Sequence, residues 1–214
     1  MAILASINTP IAIISVAGMY RTGKSYLLNR MLLNRSNGFG VGPTINPCTK
    51  GLWMWGQPIR SQSENGQPLT LLIIDTEGLG ALDEDQTHDC KIFSLAILLS
   101  TCFVYNSVGS IDENAIQSLN MVLNLTDHIS RLSRGDSAST AEMPNFVWVV
   151  RDFSLQLIDD KGNNITAKEY LENALAQQKG TSKETEEKNK IRKFITESFG
   201  TRECFTLIKP LIHE

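Results

Sequence analysis

One stretch limits the fold of this chain more tightly than any other: Gly18, Met19, Tyr20, Arg21, Thr22, Gly23, Lys24 and Ser25 fit G-x-x-x-x-G-K-[ST]. Its glycines let backbone N–H groups curl around a phosphate with no Cβ in the way. Such a loop needs a strand before it and a helix after it. Both are predicted, the first by the β-branched run 11–17 and the second by apolar spacings of three and four over 26–33. In that setting Lys24 neutralises the β- and γ-phosphates of a nucleotide. Ser25 places its hydroxyl on Mg²⁺, and the helix points its positive N-terminal end at the same anion.

The rest of the chain continues the alternation. Strands are predicted at 69–75, 102–106, 146–150 and 204–208, and helices at 91–99, 113–132, 168–176 and 188–199. Ser110 with Glu113, and Thr166 with Glu169, have capping-box spacing. Alternating strands and helices imply α/β class, a P-loop NTPase whose mostly parallel central sheet is flanked by helices on both faces. With 214 residues and 42% apolar content the chain is read as one domain. The segments 36–50, 133–144 and 178–187 are polar or rich in Gly and Pro, and read as loops.

A formal net charge of −3 gives no basic field to draw nucleic acid, so none is expected as a partner. The longest apolar run, 95–105, is shorter than the ~20 residues a spanning helix needs. No Lys or Arg precedes the run 11–17, which argues against a secretory leader. Cys48, Cys90, Cys102 and Cys204 are far apart, without a CxxC pair, and read as unpaired thiols. The expected location is cytoplasmic.

A second element fits the phosphate loop. The apolar run Leu71, Leu72, Ile73, Ile74 ends in Asp75, with Gly78 three residues on. Asp75 suits a carboxylate that holds Mg²⁺ through water, and the Gly78 N–H suits contact with a γ-phosphate. Thr49 closes the long loop just before Gly51, a placement suited to a switch threonine on the metal and γ-phosphate. Trp53 and Trp55 alternate and read as packing residues.

The wording GMYRTGKSYLLNRML, PCTKGLWMW, LLIIDTEGLG, FSLAILLSTCFVYNSVGSID and FVWVVRDFSL resembles the guanylate-binding protein family, large GTPases related to dynamins, in its plant and protist branches. The resemblance implies a G domain over 1–214 that lacks the family's guanine cap and helical domain. By it, Arg21 is an internal arginine finger, Val41, Gly42 and Pro43 pass near the nucleotide, and Glu77 organises the attacking water. No N-K-x-D is present, and Asn124 to Asp127 only imitates it inside a helical pattern. Asp152 resembles the family's R-D base-reading aspartate, and Arg151 its neighbour at a head-to-head dimer interface. The expected activity is Mg²⁺-dependent hydrolysis of GTP to GDP, onward to GMP as some members do, coupled to nucleotide-dependent homodimerisation. The expected chain carries no membrane anchor of its own. Pro47 departs from the family, since the fastest animal members have serine at that place. It motivates the alternative, a nucleotide-loaded scaffold with negligible hydrolysis.

Overall fold

A computed structural model describes residues 2–42, 49–79, 86–134 and 143–209. The chain is α/β, and it divides into two compact units, Met1–Val104 and Tyr105–Glu214.

The first unit contains α1 (Ala2–Ala5), β1 (Ile11–Gly18), α2 (Lys24–Leu27), β2 (Leu52–Met54), β3 (Ile59–Gln62), β4 (Pro68–Thr76), α3 (Gln86–Leu99) and the start of β5 (Cys102–Val108). Strands β1 and β4 are parallel, with Ile11 opposite Thr70 and Val16 opposite Asp75. That register brings the phosphate loop after β1 and the D-x-x-G turn after β4 to one end of the sheet. The carboxyl ends of parallel strands are where such sheets take ligands. Leu72, Ile73 and Ile74 are all buried, the continuous apolar run of a strand covered on both faces. Strands β2 and β3 lie antiparallel along β4.

The second unit continues β5 and adds α4 (Glu113–Arg134), β6 (Asn145–Arg151), α5 (Ala167–Leu175), α6 (Lys183–Ser198) and β7 (Arg202–Leu207), with β6 and β7 parallel. Its core is aromatic. Trp148 meets Tyr105 edge-on at 5.0 Å, and Phe146 stacks on Phe199 at 4.5 Å. Fully burying a side chain of that size stabilises by about 1.5–3 kcal/mol. The Trp148 indole N–H donates to Ser107 Oγ at 2.9 Å, so its polar edge is satisfied inside the core.

All five predicted strands and all five predicted helices are present, and the structure corrects several details. Strands β2 and β3 are additional. Helix α2 starts at Lys24, ahead of the predicted 26, and continues into a π-helical turn over Leu28–Leu32. Thr166 and Glu169 form their capping box. At α4 the cap is Asp112, whose carboxylate accepts the Ala115 N–H at 2.8 Å, while Glu113 is committed to Arg192. Helix α6 begins at Lys183, inside the stretch 178–187 read as loop. Trp55 packs on Phe39 with ring centroids 5.6 Å apart, whereas Trp53 is 57% exposed. Asn124 lies within α4, donating to the Asn120 carbonyl, as a structural residue would.

Candidate nucleotide-binding site

The phosphate loop is tied to the D-x-x-G turn by backbone. Tyr20 N–H donates to Leu79 O at 2.8 Å and Leu79 N–H to Gly18 O at 3.1 Å. Within the loop, Thr22 Oγ1 donates to Met19 O at 2.8 Å, and Lys24 Nζ reaches the same carbonyl at 3.0 Å. Gly23 has φ 78° and so needs the freedom of glycine, while Arg21 takes a left-handed φ of 57° despite its side chain. Gly78 has no room for more: a Cβ there would stand 2.5 Å from Tyr20 Cα and 2.8 Å from Lys24 Nζ.

Beside the loop, three oxygens converge. Ser25 Oγ donates to Asp75 Oδ2 at 2.6 Å, Thr49 Oγ1 donates to the same oxygen at 3.1 Å, and the two hydroxyls are 3.5 Å apart. Residues distant in sequence thus form one cluster. Asp75 is fully buried, and its other oxygen, Oδ1, has no hydrogen-bond partner. Burial pushes the Asp75 carboxyl above its usual range, against the hydrogen bond from Ser25 and the charge of Lys24. An unsatisfied buried carboxylate oxygen next to two hydroxyls is a hard oxygen set that suits Mg²⁺. The residues present therefore fit the ion. Among the described residues no cluster of three or more His, Cys, Asp or Glu occurs that could hold a metal.

Lys24 is buried as well. Desolvation lowers its pKa to about 8, opposed by Asp75, Glu77 and Asp89. A bound anion would oppose the same cost.

Glu77 is buried and anchored on one side only. Its Oε2 accepts the Gly51 N–H at 2.7 Å and lies 3.6 Å from His88 Nε2. Its Oε1 has no hydrogen-bond partner. A cavity of about 230 Å³ is lined by Tyr20, Arg21, Lys24, Ser25, Val41, Gly42, Thr49 and Gly78 among others, while Asp75 and Glu77 are not among its lining residues. Gly40, Tyr26 and Thr76 also line it and were not singled out from the sequence. Each is next to a residue that was.

Of the remaining site residues, Pro43 and Pro47 lie outside the described residues. Arg151 ends β6 in the second unit, where its carbonyl accepts the Gly109 N–H at 2.8 Å. Asp152 follows with a left-handed φ of 53°.

The family model described as guanylate-binding protein, N-terminal domain, matches residues 1–214. The chain belongs to the guanylate-binding protein family. It is 44% identical to guanylate-binding protein 2 of Homo sapiens over 216 residues, covering 97% of this chain and 36% of that protein. It is 43% identical to guanylate-binding protein 1 of Mus musculus, with the same coverage. To guanylate-binding protein 2 of Rattus norvegicus it is 41% identical over 220 residues, 99% of this chain and 36% of the relative. The chain thus spans about a third of the length of the guanylate-binding proteins it matches.

Proposed function

We propose that this chain binds GTP with Mg²⁺ and hydrolyses it to GDP and inorganic phosphate. The observation that carries this reading is the meeting of Ser25, Thr49 and Asp75 beside the phosphate loop, with one buried Asp75 oxygen left for a ligand. Family membership supports guanosine as the base.

In this reading the N–H groups of the loop and the Lys24 ammonium hold the β- and γ-phosphates. Ser25, Thr49 and Asp75 would hold Mg²⁺, which supplies charge neutralisation for the phosphate oxygens when bound. Water attacks the γ-phosphorus in line, the bond from phosphorus to the β–γ bridging oxygen breaks, and the proton of the water passes to the released phosphate. Glu77 has a buried acceptor to spare, which is what orienting that water requires. Arg21 stabilises the charge that develops on the transferred group, an effect worth about 10³–10⁵ in rate. Asp152 is the residue we assign to guanine, since a carboxylate accepts from both N1–H and the exocyclic amine.

A single-turnover assay with protein in excess over GTP tests the reading. Formation of GDP that requires Mg²⁺ and is lost in Lys24→Ala is the expected result. Binding without any GDP after hours would instead leave a nucleotide-loaded scaffold. The same assay, resolved by chromatography, reads any further cleavage to GMP.

A further inference from the structure

We infer that Asn29 is a positioning residue for nucleotide binding: its side chain clamps the backbone of Phe39 and so holds the pocket-lining segment Gly40, Val41, Gly42 against the phosphate loop. The inference rests on the reading of the cavity as a nucleotide site and adds a determinant of affinity to it.

Asn29 stands four residues beyond Ser25 and is 2% exposed. Its amide nitrogen donates to Phe39 O at 3.0 Å, and its Oδ1 accepts the Phe39 N–H at 2.8 Å. A neutral carboxamide is the side chain that can both donate to and accept from one backbone residue; aspartate has no donor and leucine has neither. Its own carbonyl accepts the Arg35 N–H at 2.8 Å, so the same residue holds both ends of the intervening turn. The approach is close enough to forbid a side chain at position 38. A Cβ on Gly38 would fall 2.3 Å from Asn29 Oδ1.

Beyond the clamp, the Phe39 ring packs on Trp55 at 5.6 Å, and the Arg35 guanidinium lies 5.7 Å from the Trp55 ring. Trp55 N–H in turn donates to Ile73 O of β4 at 2.8 Å. The turn is therefore held at both ends by Asn29, and Phe39 and Arg35 also rest on Trp55, which is tied to β4. What remains after Phe39 is the three residues that line the cavity. Losing the clamp lowers the fraction of molecules with that wall in place, and apparent affinity falls in proportion.

Two variants attack the clamp from opposite sides. Asn29→Ala removes the amide, and Gly38→Ala pushes it away from Phe39. We expect each to weaken binding of a fluorescent GDP by about tenfold, through faster dissociation, with the single-turnover rate at saturating GTP within about threefold of wild type. The double variant should lose about tenfold and not a hundredfold, because Gly38→Ala has no amide left to collide with. Hydrogen exchange at the Phe39 amide should accelerate in Asn29→Ala. Wild type is measured first: if it binds no GDP, the nucleotide reading itself fails. If wild type binds while either folded single variant stays within twofold of it, or if the double variant loses a hundredfold, the positioning role of Asn29 is overturned.

Discussion

Arg21 is held with φ 57°, a conformation that costs an L-residue roughly 1–2 kcal/mol, and its guanidinium lies 5.8 Å from the Tyr20 ring. A residue kept strained at the mouth of a pocket, and able to carry charge, fits a group used in the transition state more than one used in binding. Arg21→Ala should leave GTP affinity within a few-fold and slow single-turnover hydrolysis by at least ~10². An unchanged rate would remove the finger role. The proposed assignment of Asp152 to guanine predicts a specificity exchange. In Asp152→Asn the amide offers a donor where guanine also offers one, so GTP binding should drop by at least about tenfold. Xanthosine triphosphate carries a carbonyl at that place and should bind the variant more tightly than GTP does. Competition titrations with the two nucleotides read the exchange directly. At Gly78, where a Cβ would meet the Tyr20 backbone, Gly78→Ala should cost about 1–3 kcal/mol of stability and most of the nucleotide affinity. Urea unfolding and a GDP titration check both.

The elements of the second unit are joined by a pair that the sequence does not announce. Arg192 of α6, 4% exposed, makes two bonds to the Glu113 carboxylate of α4, at 3.0 and 2.7 Å, and a third to the Ala174 carbonyl. Arg192 holds the Glu113 carboxyl below its usual range. Its stabilising share is therefore present above the unfolded value, about 4.3, and is lost as pH falls through the lower folded value. Glu113→Gln leaves a buried guanidinium without its counter-charge and should cost about 2–4 kcal/mol at pH 7. That difference from wild type should shrink as pH falls from the unfolded value of about 4.3 through the lower folded one. Urea unfolding across pH tests it; a constant difference would contradict the pair's role.

The same pair explains a helix cap that local pattern misassigned, although the predicted start at Glu113 holds. Ser110 and Glu113 have capping-box spacing, but Glu113 turns to Arg192 and Asp112 takes the cap. Strands β2 and β3 escaped because each is short and is held by pairing with β4, a nonlocal cause with little periodic signature. The long helices and buried strands were legible because their apolar spacing is set by a single packed face or by two. The cluster of Ser25, Thr49 and Asp75 was legible because each stands at the end of a recognisable element or loop. Asn29 and His88 were not. Their contacts, with Phe39 and Glu77, exist only once separate segments have folded against each other.

At the scale of the whole chain, no helix among the described residues is long and apolar enough to cross a membrane. A nucleotide-dependent homodimer is an expectation from the family resemblance that can be tested at this scale. Sedimentation of the chain with a non-hydrolysable GTP analogue and Mg²⁺ should double the mass seen with GDP, and equal masses would overturn that expectation. The central claim, that the cavity lined by Ser25 and Thr49 takes a guanosine triphosphate with its divalent ion, is tested most directly by equilibrium titration with a fluorescent, non-hydrolysable GTP analogue. Saturation at one nucleotide per chain, requiring Mg²⁺, displaced by GTP and not by an equal concentration of ATP, is the predicted result. A folded sample that binds none of the analogue with Mg²⁺ present, or that yields it equally to ATP, would contradict the account.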